Sequence, residues 1–163
     1  MSPTTNATNR SNDRIEDEVR LPQPPARVWR ALTDPAELGA WFGADLTGAT
    51  IAPGSRVLGR FTIPGHEHFT FDVTIEEMEA GRRFAWRWHP GAADPTADLS
   101  AEPPTLVTFT LEGTSDGGTL LRVVESGFEG LATGRRTAAL LGNTKGWEMQ
   151  LHMRLTGYLA SAT

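Results

Sequence analysis

With 163 residues, 39% of them hydrophobic, the chain is long enough for one domain with a buried core, and its composition is ordinary for a globular protein. Its formal net charge is -5, and its single lysine, Lys145, and the lack of a basic block disfavour a nucleic-acid partner. It has no cysteine, no apolar run long enough to span a membrane and no apolar signal core near its start. We therefore expect a cytoplasmic protein without disulfides, thiolate metal sites or a membrane span.

The beginning of the chain predicts a tail followed by an edge strand. Residues 1–13 are polar and nearly free of apolar side chains, so they predict a disordered tail, and residues 14–161 predict a single domain. From Arg14 to Leu21, apolar residues have charged residues between them, which indicates a first strand at a sheet edge. Pro25 suits the first turn of a helix, so a short helix is expected next.

A second short helix is indicated by a capping pattern. Asp34 is a suitable N-cap, Pro35 fits the first helical position, and Glu37 follows three residues after the cap. Gly43 marks the end of this helix. The chain therefore predicts two short helices in tandem directly after the first strand.

The middle of the chain, from Gly54 to Ser126, has a period of two residues. Apolar and polar side chains alternate in runs separated by short turns, and an irregular loop interrupts them from Pro90 to Pro104. Alternation with short turns is typical of an antiparallel meander. We therefore predict about five strands here, which together with the first strand form a sheet of about six.

The last part of the chain predicts one long helix, from about Thr137 to Ala160. Six side chains recur at steps of three and four residues and form one stripe: Leu140, Thr144, Trp147, Leu151, Leu155 and Tyr158. Such a helix is roughly 35 Å long, enough to cross a small sheet. We predict an α+β domain in which a curved antiparallel sheet wraps around this helix and leaves a ligand cavity between the two.

Three stretches in this order carry a recognisable pattern. They are Arg27–Phe42, the strand pair Leu106–Gly113 and Thr119–Phe128, and Gly146–Leu159. Together they resemble the START-like, or SRPBCC, superfamily, and more specifically bacterial homologues of the activator of heat-shock protein 90 ATPase. The resemblance implies a helix-grip fold with a deep cavity that binds lipids, sterols, polyketides or other apolar molecules. Some related families are cyclases and the eukaryotic namesake is a co-chaperone, but no universal catalytic residue exists to transfer.

The candidate cavity lining combines aromatic side chains of the strands and the second short helix with residues of the final helix. Ordinary core packing accounts for most of these aromatic residues; the functional alternative is an aromatic-lined pocket, because large rings are hard to pack solidly in a small domain. We hypothesise that Asn143 and Gln150, on the inner side of the helix, orient the polar end of a ligand. The alternative is that they lie at the solvent margin while Arg154 extends into water. The full set is Trp41, Phe71, Trp86, Trp88, Phe109, Asn143, Trp147, Gln150, Leu151 and Arg154.

One acidic residue is a candidate for chemistry inside the cavity. Glu125 has the same parity as the inward-facing residues of its strand, so it can act as an acid or base there, or pair with Arg154. His89 and His152 are weaker alternatives for the same role. No catalytic residue and no cofactor is assigned on this basis.

The stretch His66-Glu67-His68 is the one segment with metal-like composition. No third or fourth ligand is evident nearby, and zinc sites need three or four convergent ligands. We therefore predict no metal site.

Three functions remain open at this point. The leading one is binding of a small hydrophobic or amphipathic molecule inside the cell. The second is a cyclase-like enzyme acting within the same cavity, and the third is a chaperone-associated or stress-response interaction. Met149 and Met153, one turn apart on the other side of the final helix, also make a homodimer possible.

Overall fold

The computed structural model of the protein describes residues 14–90 and 102–162. The disordered tail predicted for residues 1–13 lies outside the described part, as does most of the irregular loop predicted after Pro90. The described residues form an α+β structure built from one antiparallel sheet, two short helices and a long C-terminal helix.

The sheet has seven strands in the order β1-β7-β6-β5-β4-β3-β2, with antiparallel pairing throughout. The additional strand relative to the expected six is the two-residue β2 at one edge. A register shift in β4 between Ile75 and Glu77 is a bulge, which increases local twist. The strands are β1 (Arg14–Leu21), β2 (Ala44–Asp45), β3 (Arg56–Phe61), β4 (Thr70–Glu79), β5 (Arg83–Trp88), β6 (Thr105–Gly113) and β7 (Thr119–Ser126).

A row of inward-facing residues crosses the sheet from β1 to β4. Its members are paired directly in the register of neighbouring strands, and all of them are buried. Glu125 is the one charged member of a row that is otherwise apolar and aromatic. The row runs Ile15, Glu125, Val107, Trp86 and Ile75.

The two short helices, α1 (Pro25–Thr33) and α2 (Pro35–Phe42), follow β1 as the sequence predicts. The Asp34 side chain accepts a hydrogen bond from the Glu37 backbone N–H at 3.0 Å, which is the expected N-cap of α2. Gly43 ends α2 with a φ of 92°, in the left-handed region that glycine adopts without strain.

The C-terminal helix is continuous over residues 133–161 but is not α-helical throughout. It consists of α3 (Thr133–Met149), a π-helical turn (Gln150–Leu155) and α4 (Thr156–Ser161). The buried residues that face the sheet are spaced four apart along this helix: Trp147, Leu151, Leu155 and Leu159. A π-helical turn has more residues per turn than an α-helix, because its hydrogen bonds span five residues, so four-residue steps stay on one side.

This geometry corrects the stripe expected from uniform α-helical spacing. Thr144 is exposed and Tyr158 only half-buried, whereas Leu159 is buried completely. Thr144 lies in α3, before the π-helical turn, whereas Tyr158 and Leu159 follow the turn, which therefore determines which side of the last part of the helix faces the sheet.

Candidate functional site

Aromatic rings in mutual contact occupy the space between the sheet and the C-terminal helix. We call these rings the aromatic interior. Phe42, at the end of α2, lies at its centre: the rings of Phe71, Trp86, Trp88 and Trp147 have centroids within 6.1 Å of the Phe42 centroid. The sequence groups Phe42 with the other aromatic residues, but the predicted lining set does not include it; its central position depends on contacts with elements that are distant along the chain. The nine rings are Trp41, Phe42, Phe61, Phe71, Phe84, Trp86, Trp88, Phe109 and Trp147.

The structure brings most of the sequence-derived lining residues to this region. Phe71, Trp86, Phe109 and Leu151 are fully buried in it, and so is Trp147. Their mutual contacts are compatible both with an ordinary core and with the wall of a site that a ligand enters.

Two of the candidate residues lie at the margin of the aromatic interior rather than inside it. Trp88 and Asn143 are half-buried, so they separate the buried residues from solvent on this side. Trp41 has an additional structural contact, because its indole Nε1 donates a hydrogen bond to the Ala31 backbone oxygen at 2.8 Å and thereby joins α2 to α1.

Gln150 and Arg154 both reach the carboxyl end of α2. Gln150 Nε2 donates to the Phe42 backbone oxygen at 3.0 Å, and Arg154 Nε donates to the Trp41 backbone oxygen at 2.8 Å. The last carbonyl groups of a helix have no partners within that helix, and a cation there interacts favourably with its dipole. These two side chains therefore attach the π-helical turn to α2.

The carboxylate of Glu125 lies between the sheet and α3 and is completely inaccessible to solvent. Its Oε1 accepts hydrogen bonds from Trp147 Nε1 at 2.9 Å and Asn143 Nδ2 at 3.0 Å. Its Oε2 accepts from Thr105 Oγ1 at 2.6 Å, Trp88 Nε1 at 2.8 Å and Asn143 Nδ2 at 3.1 Å. We call these five residues the Glu125 cluster; it joins β5, β6, β7 and α3.

The Glu125 cluster is unusual because its donors are neutral. A buried carboxylate is costly unless it is paired or fully hydrogen-bonded, and here two indole N–H groups, one amide and one hydroxyl supply the bonds. Within the described part of the chain Glu125 has no cationic partner, and the expected pairing with Arg154 does not occur because that guanidinium binds α2. Indole and amide N–H groups can only donate, so they match a carboxylate that only accepts.

Two other polar atoms in the same region have no hydrogen-bond partner among residues 14–90 and 102–162. They are the indole Nε1 of Trp86, whose side chain is fully buried, and the amide Oε1 of Gln150, which is 6% exposed. Both residues border Phe42: Trp86 through its ring at 6.1 Å, and Gln150 through its bond to the Phe42 backbone oxygen. The aromatic interior thus contains one unused donor and one unused acceptor.

A second acidic residue, Glu37, binds the far end of the C-terminal helix. Its carboxylate forms ion pairs with Arg27 at 2.8 Å and Arg30 at 2.7 Å and accepts a hydrogen bond from the Tyr158 hydroxyl at 2.8 Å. We call these four residues the Glu37 cluster. The guanidinium of Arg27 also lies 5.9 Å from the centroid of the Tyr158 ring, in a cation–π arrangement.

The Glu37 cluster shifts the pKa values of Glu37 and Tyr158. Burial raises the pKa of Glu37, but hydrogen bonds from Tyr158, Arg27 and Arg30 outweigh this effect and hold the pKa below its ordinary value. Burial, together with the hydrogen bond to Glu37, raises the pKa of the Tyr158 hydroxyl. The Glu37 cluster therefore favours an ionised carboxylate beside a neutral tyrosine.

The histidines considered from sequence lie outside the aromatic interior. His152 is 3.0 Å from Asp17 Oδ1 on β1, near the sheet edge, and His66, His68 and His89 are exposed. In residues 14–90 and 102–162, no three His, Asp or Glu side chains come together as a group that could hold a metal ion.

Two pockets lie at the surface, away from the aromatic interior. One, of about 430 Å³, is formed by α2 and the segment from Ala44 to Ala49. The other, of about 330 Å³, is on the outer face of the sheet, where Arg87, Leu106 and Ser126 lie side by side. None of the ten lining residues derived from sequence contributes to either pocket.

A curved antiparallel sheet against a long C-terminal helix, with two short helices after the first strand, defines the helix-grip, START-like class of protein. The chain belongs to the family of Activator of Hsp90 ATPase homolog 1-like proteins, whose model matches residues 22–160. A comparison with curated proteins finds no match.

Solved structures show the same fold. DynU16, a putative protein in the dynemicin biosynthetic locus, is 26% identical with a TM-score of 0.69; the alignment covers 93% of this chain and 48% of DynU16, so the chain spans about half of that protein. Protein MLL2253 from Mesorhizobium loti is 27% identical with a TM-score of 0.67, covering 92% of this chain and 98% of MLL2253. Protein NE0264 from Nitrosomonas europaea is similar in fold alone, with 19% identity and a TM-score of 0.70. That alignment covers 93% of this chain and 97% of NE0264.

In the described part of the chain, no helix is both long enough and apolar enough to cross a membrane. The cytoplasmic location expected from the lack of cysteine stays a prediction, and so does the possibility of a homodimer. Met149 and Met153 are 42% and 69% exposed, respectively.

Proposed function

We propose that the protein binds a small hydrophobic or amphipathic molecule in the aromatic interior between the sheet and the C-terminal helix. The observation that carries the proposal is the pair of buried, unpartnered polar atoms, Trp86 Nε1 and Gln150 Oε1. Buried polar groups are nearly always hydrogen-bonded, and each unpaired one costs about 1–3 kcal/mol. A molecule with an apolar body and a small polar group satisfies both atoms while its body contacts the rings.

The route into the interior passes Trp88. This residue and Asn143 are half-buried and lie between solvent and the buried rings. The Trp88 ring has its centroid 5.5 Å from that of Trp86 and 5.8 Å from that of Trp147, and its indole N–H is held by Glu125. On this route the Trp88 side chain moves aside to admit the ligand, and its indole N–H returns to Glu125 once the ligand is bound, so that Glu125 is covered again.

The helix geometry also supports a binding role. π-helical turns occur frequently at functional sites, and this one places Gln150 at the carboxyl end of α2. Its amide nitrogen is used there, which leaves the amide oxygen free for a ligand. One structural neighbour also supports the proposal, because DynU16 is described as a putative protein in the dynemicin biosynthetic locus.

A cyclase-like enzyme is the second candidate, and the Glu125 cluster argues against it. A general acid or base must come within hydrogen-bonding distance of the reacting group. Both oxygens of Glu125 are already occupied by protein donors, and the carboxylate is inaccessible to solvent. We therefore place binding before catalysis, and we place a chaperone-associated role behind both because it makes no use of the buried polar atoms.

Two measurements test the proposed function. Native mass spectrometry of the purified protein would reveal a small molecule that copurifies with it. Titration with the neutral dye N-phenyl-1-naphthylamine is expected to give saturable fluorescence with one dye per chain. Trp86→Phe removes the five-membered ring of the indole together with its N–H and is expected to weaken dye binding; Trp29→Phe on α1 is the matched control.

The expected result is dye binding by the native chain and by Trp29→Phe, and displacement of the dye by small aromatic alcohols. The absence of both a copurified molecule and saturable dye binding would overturn the proposal.

A further inference from the structure

The register of the sheet sets the distance between the buried carboxylate and the unused donor. Glu125 pairs with Val107, and Val107 pairs with Trp86, so Glu125 and Trp86 lie on the same inner row with one strand between them. Adjacent strands are about 4.8 Å apart, which puts these two backbone positions roughly 10 Å from each other. A ligand at Trp86 is therefore within range of the charge on Glu125.

The charge on Glu125 is poorly screened at this position. The carboxylate is fully buried, and each of its partners in the described residues is neutral. A second negative charge placed about 10 Å away in such surroundings is repelled strongly enough to weaken binding roughly tenfold or more. The aromatic interior therefore disfavours binding of an anionic ligand.

The two unpartnered atoms define the complementary polar group. Trp86 Nε1 needs an acceptor and Gln150 Oε1 needs a donor. A hydroxyl group is a small uncharged group that offers both an acceptor for an indole N–H and a donor for an amide oxygen. A carboxylate, ketone or ether cannot donate to Gln150, and an ammonium group cannot accept from Trp86.

We infer that the site selects uncharged alcohols of aromatic or similarly compact apolar molecules, and that Glu125 excludes the corresponding carboxylic acids. This inference rests on the proposed function and adds the ligand's charge and polar group to it. Glu125 acts as a specificity-determining residue without contacting the ligand, because its charge acts through the rings of Trp88 and Trp147 that surround it.

Three probes of nearly equal shape test this inference: 2-naphthol, naphthalene and 2-naphthoate, each measured by displacement of N-phenyl-1-naphthylamine at neutral pH and low salt. The native chain is expected to bind 2-naphthol at least tenfold more tightly than 2-naphthoate. It is also expected to bind 2-naphthol more tightly than naphthalene, by roughly fivefold for each hydrogen bond gained.

Three variants assign these differences to residues. Glu125→Gln keeps the size of the side chain and removes its charge, so the affinity for 2-naphthoate is expected to rise relative to the affinity for 2-naphthol. Trp86→Phe and Gln150→Leu are each expected to reduce the ratio of the affinity for 2-naphthol to the affinity for naphthalene, whatever their effect on the affinity for naphthalene itself. Thermal melting of each variant checks that it is folded. If Glu125→Gln does not fold, the preference of the native chain for 2-naphthol over 2-naphthoate still tests the charge selection, and the other two variants still test the hydroxyl assignment.

The outcomes separate the two proposals. If no probe and no dye binds, the proposed function itself fails. If the dye and all three probes bind but 2-naphthoate binds as tightly as 2-naphthol, the proposed function stands and the charge selection is wrong. If 2-naphthol binds no more tightly than naphthalene, the assignment of the hydroxyl group to Trp86 and Gln150 is wrong.

Discussion

The middle and the end of the C-terminal helix each bind a carboxylate, but they do so with opposite chemistry. In the middle, Asn143 and Trp147 donate hydrogen bonds to Glu125, which is buried and whose partners among the described residues are all neutral. At the end, Tyr158 donates to Glu37, which also pairs with two arginines and is 17% exposed. The Glu37 cluster resembles an ordinary anchoring site at the edge of a domain, where charges are paired and water is close.

The contrast indicates different roles for the two clusters. The two arginines more than compensate the negative charge of Glu37, so this carboxylate can hold the helix against α1 and α2 without placing an unpaired negative charge beside the interior. In the described residues Glu125 keeps an uncompensated charge beside the aromatic interior, an arrangement that stability alone does not require. The difference supports a structural role for Glu37 and a role in ligand selection for Glu125.

The largest expected effect comes from removing each carboxylate. Glu125→Ala leaves buried donors on Trp147 and Thr105 without an acceptor and is expected to destabilise the fold by about 3–5 kcal/mol. Glu37→Ala removes a partly exposed cluster, where water can replace the lost acceptor, and is expected to cost about 1–2 kcal/mol. Urea denaturation of both variants measures the two losses in free energy of unfolding, and equal losses would contradict the contrast between the Glu125 cluster and the Glu37 cluster.

A matched pair of single-donor deletions is expected to give a smaller difference of the same sign. Trp147→Phe removes one donor to Glu125, and Tyr158→Phe removes one donor to Glu37. We expect Trp147→Phe to lower the free energy of unfolding by about 2 kcal/mol, part of which comes from the smaller ring, and Tyr158→Phe to lower it by about 0.5–1 kcal/mol. Urea titrations measure both values. A larger loss of stability in Tyr158→Phe would reverse the assignment of the buried and the exposed cluster.

The elements that form these two clusters could be predicted from sequence, but most of their contacts could not. Alternation along β7 correctly predicted that Glu125 faces inward, and the capping pattern correctly placed Glu37 in the first turn of α2. The sequence suggested Arg154 as the partner of Glu125 because opposite charges attract. The neutral donors come from elements far apart along the chain, and no spacing rule links them.

The helix itself shows a second limit of sequence reasoning. A uniform rotation per residue led to Tyr158 in the buried stripe, whereas the π-helical turn puts Leu159 there. The four-residue spacing of Leu151, Leu155 and Leu159 was the available signal. Gln150 was correctly placed on the inner side, but its partner is the backbone oxygen of Phe42, and backbone acceptors carry no sequence signature. The two-residue strand β2 is too short to show periodicity.

The smallest expected effect is the pH dependence of the Glu37 cluster. Because the pKa of Glu37 is lower in the folded chain than in the unfolded chain, the unfolded state binds a proton first as the pH falls. The contribution of Glu37 to stability is therefore complete above the ordinary glutamate pKa and is lost as the pH falls through the lowered folded value. The free energy of unfolding of the native chain and of Glu37→Gln is expected to differ most near pH 7 and to converge in acid.

Salt separates this electrostatic contribution from packing. At about 1 M ionic strength the screening length is about 3 Å, so the exposed pair between Arg30 and Glu37 loses most of its effect while the Tyr158 hydrogen bond remains. The difference in free energy of unfolding between the native chain and Glu37→Gln at pH 7 is then expected to become smaller but not to disappear. If this difference is unchanged both in acid and at high salt, Glu37 acts through packing alone. The proposed electrostatic contrast between the two clusters would then rest on Glu125 only.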